Sequence, residues 1–322
     1  MIRARGLTRD FARGGKRGGD AFRAVDGVDL DVGREEIVGF LGPNGAGKST
    51  TLRMLTTLLR PTAGTATVAG HDVVAEPRAV RGRIGYVSQA GAAAGGARAG
   101  DEVVDRGMLY GLHRRQARAR GAELFEWLEL DGLWDRPVRT LSGGQRRRLD
   151  VVMGLIHRPR IVFLDEPSTG LDPHSRANLW QHIRDMRTGH EVTVFLTTHY
   201  LDEADALCDR IIVIDHGSIV ASDTPGGLKR QLAGDAITLE LLGEQDLPVV
   251  LPVLESFTDQ GVKVTVEGRE LRARIRDAGT TAPALLRALD QHGIVLAGIE
   301  VRRPTLDDVF LTLTGRSLRE QR

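Results

Sequence analysis

Five apolar residues, Ile37-Val38-Gly39-Phe40-Leu41, run straight into Gly42-Pro43-Asn44-Gly45-Ala46-Gly47-Lys48-Ser49-Thr50, and a helix-like stretch with Leu52, Leu55, Leu58 and Leu59 follows. A buried strand, a glycine-rich turn and an apolar helix in immediate succession leave few architectures open. The segment from Gly42 to Ser49 fits the phosphate-loop pattern, and the strand–loop–helix setting is the context that pattern requires. Glycines let successive N–H groups turn inward around an anion. The helix that follows points its positive end at the same place. Lys48 is expected to reach the β- and γ-phosphates, and the Ser49 hydroxyl to ligate Mg²⁺.

Two further apolar runs, Ile161-Val162-Phe163-Leu164 and Val192-Thr193-Val194-Phe195-Leu196, lack period-2 alternation. They read as strands buried on both faces, as in a parallel sheet covered by helices. An open α/β sheet keeps its ligands at the carboxyl ends of its strands. From about residue 230 the pattern changes. Segments 237–241, 262–266 and 271–275 alternate apolar and polar residues, with helix-like stretches at 249–260 and 283–292 and a last strand at 294–301. That is the order of a ferredoxin-like unit. Leu306, Val309, Phe310 and Leu313 then form an apolar helical stripe. The expected division is 1–230 and 231–322, with the boundary between Lys229 and Asp235. Gly14 to Gly19 reads as a surface loop.

Other motifs carry chemistry less securely. Asp165-Glu166 ends the second buried strand. Asp165 could hold Mg²⁺ through its water shell and Glu166 could polarise water, although strands commonly end in acidic residues. Leu141-Ser142-Gly143-Gly144-Gln145 precedes a helix; read alone it is an N-cap after a turn, with exposed N–H groups that could also bind phosphate. His199, at a strand end after two threonines, is by itself more often structural. Arg146-Arg147-Arg148 and the cluster from Arg114 to Arg120 read as solvated helix faces.

In order along the chain stand the phosphate loop, Gln89 after a strand, Leu141 to Gln145, Asp165-Glu166, Ser168-Thr169-Gly170-Leu171-Asp172 and His199. This series resembles the ATP-binding subunits of ABC transporters over residues 2 to 225, and Leu-Ser-Gly-Gly-Gln is that family's signature. The resemblance implies an α/β P-loop ATPase domain with a mixed, mainly parallel sheet and a helical subdomain at about 90–155, plus the small α+β C-terminal domain. It implies ATP and Mg²⁺ as cofactors, with Ser49, Gln89 and Asp165 around the metal. It makes Glu166 the general base, with His199 contacting the γ-phosphate. It places Ser142, Gly143, Gly144 and Gln145 on ATP held by a partner domain in a homodimer, with Asp172 at that interface. Adenine would stack on Phe11 or on Phe22. The wording of Val138 to Asp150, of Thr197 to Ala204 and of Thr305 to Leu311 is similar to ATPases of the daunorubicin-resistance type. Such subunits work with a separate ABC-2 permease at the cytoplasmic face of the cell membrane.

Composition bounds the alternatives. The net charge is +1, so no nucleic-acid partner is expected. Cys208 is the single cysteine, which fits a reducing cytosol. The longest stretch free of charged residues, Ile84 to Ala97, is too short to span a bilayer. A soluble ABC-type factor acting on ribosomes or DNA, and an importer ATPase, are the competing readings.

Overall fold

The computed structural model describes residues 1–12, 21–93, 95–230, 235–258, 264–275 and 278–315. The Gly14 to Gly19 loop and residues 231–234 of the expected boundary lie outside them. The chain forms two compact units, Met1–Thr224 and Pro225–Arg322.

The first unit opens with two long antiparallel strands, β1 (Ile2–Ala12) and β2 (Ala21–Val32). Then come β3 (Ile37–Leu41) and α1 (Lys48–Leu55), β4 (Ala63–Val68), β5 (His71–Asp72), α2 (Pro77–Arg81) and β6 (Ile84–Val87). Helices α3 (Ala99–Leu109), α4 (Arg114–Trp127) and α5 (Gly143–Leu155) follow. Strand β7 (Ile161–Asp165), α6 (Pro173–His190), β8 (Thr193–Thr198), α7 (Leu201–Leu207), β9 (Arg210–Asp215) and β10 (Ser218–Asp223) complete it.

Two sheets result. Six strands lie in the order β10-β9-β3-β8-β7-β6, parallel except where β10 turns back on β9. Every residue of β3, β7 and β8 is buried, so the uninterrupted apolar runs mark strands covered on both faces. A four-stranded antiparallel sheet, β2-β1-β4-β5, packs its apolar side chains (Leu7, Val28, Leu30, Val68) into one core with Phe40, Phe163 and Phe195. Nothing in the sequence pattern had pointed to this second sheet. Its strand β1 carries register shifts between Ala4 and Asp10, which break the alternation that would have marked it. At the centre of the large sheet, a side chain on Gly39 would place its Cβ 2.5 Å from Cys208 Sγ, and Cys208 is buried. Only glycine lets α7 end so close to β3.

The second unit comprises α8 (Pro225–Leu228), β11 (Asp235–Leu241), α9 (Leu247–Ser256), β12 (Thr265–Glu267), β13 (Glu270–Ile275), α10 (Ala278–Gln291), β14 (Leu296–Arg302) and α11 (Leu306–Thr314). Its strands run β12-β13-β11-β14, all antiparallel. With one helix after β11 and one after β13, this is the ferredoxin-like arrangement. Ile237, Leu239 and Leu241 alternate inward with Leu271, Ala273 and Ile275, and pack under Val250, Leu254, Leu285 and Leu289. In α11, Thr305 and Asp308 form a reciprocal capping box, and Leu306, Val309 and Phe310 are its buried stripe.

Candidate nucleotide site

The phosphate loop joins β3 to α1 at the carboxyl end of the parallel sheet. A Cβ on Gly42 would lie 2.3 Å from the Ile214 carbonyl oxygen, and one on Gly47, at φ +104°, would lie 2.6 Å from that of Ala24. Neither position accepts a side chain. Lys48 is buried and lies over its own loop, Nζ donating to the carbonyls of Gly42 (2.7 Å) and Pro43 (3.0 Å). Burial pulls the Lys48 pKa down, with the charges of Glu166 and Asp165 opposing it. A cavity of about 480 Å³ opens above the loop. Asn44, Gly45, Gly47, Lys48, Ser49 and Thr50 line it from below, Gln89, Glu166, Thr169 and His199 from one side, and Phe11, Phe22 and Ala24 from another. Gly42, Pro43 and Ala46 support the loop without lining the cavity.

Asp165 ends β7 beneath this cavity. Its Oδ1 accepts from Ser49 Oγ (3.1 Å) and from Thr197 Oγ1 (2.7 Å). The donor set fits Mg²⁺: one hydroxyl and one carboxylate suit a hard ion that keeps waters and takes phosphate oxygens. Among the described residues no cluster of three His, Cys, Asp or Glu offers a dedicated metal cage. Bound there, Mg²⁺ would neutralise charge on the terminal phosphates.

Glu166 sits at φ +45°, in the left-handed region that costs a non-glycine residue energy. Its N–H, shared between the carbonyl and hydroxyl oxygens of Thr197 (3.1 Å each), holds it there. This aims the carboxylate into the cavity. Oε2 accepts from Gln89 Nε2 (2.9 Å) and Thr169 Oγ1 (3.3 Å); Oε1 faces Lys48 Nζ at 3.7 Å and His199 Nδ1 at 3.2 Å. The His199 contact is close but not aligned as a hydrogen bond. Burial, the largest single effect on Glu166, raises its pKa; His199, Lys48 and Thr169 together outweigh it and leave the group below its ordinary value. The carboxylate is therefore charged, ringed by donors and able to accept a proton from water.

The structure brings Gln89, Asp165, Glu166 and His199 to the phosphate loop but leaves Ser142 to Gln145 and Asp172 outside that cavity. Ser142 caps α5: its Oγ accepts from the Gln145 N–H (3.2 Å), and Gln145 Oε1 accepts from the Ser142 N–H (3.0 Å). The side chain of Gln145 is thus engaged in its own helix. Asp172 caps α6, accepting from the Ser175 N–H (2.9 Å) and hydroxyl (2.6 Å). Ser175 in turn abuts Gly144, where a Cβ would lie 2.6 Å from its Oγ.

Phe11 and Phe22 are cross-strand partners on β1 and β2, so both rings stand on one face of the hairpin at the cavity wall. Both are more than a third exposed, so neither is a core residue. Both rings line the cavity, so either one or both could meet a base there.

One expectation is overturned. Of the three arginines after the signature only Arg146 is exposed. Arg147 is buried and donates to three carbonyls: Nη1 to Ser88 (2.5 Å), Nη2 to Asp165 (3.0 Å) and Nε to Pro167 (2.8 Å). Arg148 reaches the Leu128 carbonyl and Glu129. Thr197, Thr169 and Asp150 lie inside motifs already named, yet the sequence assigns none of them a role at the site. Only the position of Thr197, two residues before His199, could have drawn notice to it.

A family model described as ABC transporter matches residues 25–169, and one described as ATP-binding protein DrrA1-3-like, C-terminal domain, matches residues 224–314. The daunorubicin resistance ATP-binding protein DrrA3 of Streptomyces coeruleorubidus is 46% identical over 302 residues, 93% of each chain. The chain belongs to the ATP-binding proteins of ABC transporters, of the daunorubicin-resistance type. The daunorubicin/doxorubicin resistance ATP-binding protein DrrA of Streptomyces peucetius is 43% identical over 91% of this chain and 88% of that one. Among solved structures, the dimeric bacterial ABC transporter cassette MJ0796 superposes with a TM-score of 0.63 at 25% identity, over 70% of this chain and 98% of that one. This ABC-type chain is an ATP-binding and ATP-hydrolysing subunit.

Proposed function

We propose that the chain is the motor of a multi-chain exporter of antibiotic or drug-like compounds. Two copies pair head to tail around two ATP molecules and two Mg²⁺ ions. They drive a separate six-helix permease of the ABC-2 class from the cytoplasmic face of the membrane. Among the described residues no helix is long and apolar enough to cross a membrane, so the spanning part falls to another chain. The drug-resistance names of the relatives supply the cargo class.

In this reading residues 1–230 are the ATPase domain, with residues 90–155 as its helical subdomain, and residues 231–322 are an accessory domain. Gly42 to Thr50 cradle the phosphates, and Ser49 with Asp165 holds the metal. Gln89 and His199 orient Glu166, which takes the proton from the attacking water. Ser142, Gly143 and Gly144 present the α5 N-terminus to ATP on the other copy, and Asp172 lies at the seam. The observation that carries the reading is the separation of the two motifs within one chain. The cavity holds the phosphate loop and the Glu166 cluster, while the signature segment does not line it; in this reading a second copy brings that segment to ATP.

Ser142→Arg tests it. The variant should bind ATP at the single-chain site as the parent does, yet fail to dimerise on adding ATP, read by size-exclusion chromatography with light scattering. ATP-driven dimers of this variant at parental yield would refute the role of the signature segment in trans.

A further inference from the structure

Gln89 is bracketed by two bonds from one helix. Arg147 takes the carbonyl of Ser88 just before it (2.5 Å), and Asp150 Oδ1 accepts the N–H of Ala92 three residues after it (2.9 Å). The same guanidinium holds the carbonyls of Asp165 (3.0 Å) and Pro167 (2.8 Å), which flank Glu166. Peptide groups beside both Gln89 and Glu166 are thus fastened to one planar fork on α5. The tip of α5 is Ser142, about 7.5 Å along the helix from Arg147 at 1.5 Å per residue.

We infer that Arg147, with Asp150, is a positioning residue that couples the two ATP sites of the paired motor. It links the segment that meets the other copy's ATP to the groups that act on the chain's own ATP. This rests on the two-copy reading above. When the tip of α5 engages a γ-phosphate, the helix shifts, and the fork carries that shift to Gln89 and Glu166 in the other site.

Three features favour this over simple packing. A buried guanidinium is expensive to desolvate, and an apolar residue of similar volume would serve a purely packing role at lower cost. Each of its three nitrogens donates to a loop carbonyl at the active site, none to its own helix. The rigid fork also holds three acceptors in fixed directions at once, which a lysine cannot do. The loop after Gln89 is built to fit: Gly91 sits at φ +78°, and a Cβ there would lie 3.0 Å from Asp150 Oδ2. The small residues of this loop let its backbone close on the α5 carboxylate.

The test uses the full chain, with Arg147→Lys, which keeps the charge and loses the fork, and the pair Asp150→Asn and Asp150→Ala. The parent should hydrolyse ATP with a Hill coefficient approaching two, the number of sites. Arg147→Lys should fall toward one with kcat reduced roughly three- to thirty-fold, while the single-chain ATP Kd is unchanged. Asp150→Asn retains an acceptor for Ala92 and should keep the cooperativity; Asp150→Ala should lose it. The Asp150 pair decides the matter if Arg147→Lys does not fold. A cooperative Arg147→Lys, or an Asp150→Ala as cooperative as Asp150→Asn, overturns the inference and leaves the two-copy reading intact. A parent that neither dimerises with ATP nor shows cooperativity overturns both.

Discussion

Gln89 and Glu166 share a hydrogen bond of 2.9 Å, Nε2 to Oε2, so the residues that follow β6 and β7 meet at one carboxylate. The backbone of Glu166 is held by Thr197 and its side chain points into the cavity. Glu166→Gln keeps the shape and removes the acceptor for a water proton. Turnover should fall about 10²-fold or more while ATP is still bound, and ATP-bound dimers should accumulate. Steady-state ATPase assays beside light scattering check both; turnover near the parental rate would exclude Glu166 as the base.

The acidic limb of the rate profile follows from the same cluster. Glu166 is held below its ordinary value of 4.5 because His199, Lys48 and Thr169 outweigh burial, which acts the other way. With Glu166 as the base, the rate should stay flat down to that value and fall only below it. The sign for stability is the same: the contribution of this carboxylate is complete above 4.5 and is lost as the pH falls through its lower folded value. His199→Ala removes a major opposing influence, so burial gains and the acidic limb moves upward in pH. A log kcat/KM profile of that variant with an unmoved acidic limb would contradict the assignment.

Phe11 and Phe22 face each other across β1 and β2 at the cavity wall, where a base would meet both rings. Each aromatic contact contributes about 0.5–1.5 kcal/mol, so Phe11→Ala or Phe22→Ala alone should weaken ATP binding roughly two- to twelve-fold. The double variant should weaken it further. Fluorescent-nucleotide titration distinguishes this from a single stacking residue, for which one of the two substitutions would be silent.

Gly42→Ala should abolish nucleotide binding although the residue does not line the cavity. The added Cβ would sit 2.3 Å from the Ile214 carbonyl oxygen, so the start of the loop must move away from β9. By contrast, nothing lies within 4 Å of a Cβ on Gly143. Gly143→Ala should leave single-chain ATP binding untouched. Isothermal titration of the two variants measures the contrast.

Much of this architecture is legible in the sequence because burial on both faces writes uninterrupted apolar runs. β3, β7 and β8 show it, and so, through alternation, do β11 and β13. The antiparallel sheet of β1, β2, β4 and β5 is not legible, since register shifts in β1 break the period. The motif order places Gln89, Glu166 and His199 near the phosphate loop because each follows a strand of one parallel sheet, and such strand ends converge. Arg147 was misread for a physical reason. Charge in a sequence predicts solvent, and only the three-dimensional gathering of the Ser88, Asp165 and Pro167 carbonyls makes its burial tolerable. That Phe11 and Phe22 stand side by side is not legible either, because sequence distance hides cross-strand registry.

The fit of Cys208 against Gly39 gives the chain a clock. The thiol is the only one present and is buried, and burial lifts its pKa well above the usual range, so alkylation should be slow while the fold stays closed. Each labelling event then records one parting of β3 from the end of α7. Since β3 leads directly into the phosphate loop, the labelling half-life in the presence and absence of nucleotide reads out how firmly the ligand locks the middle of the sheet.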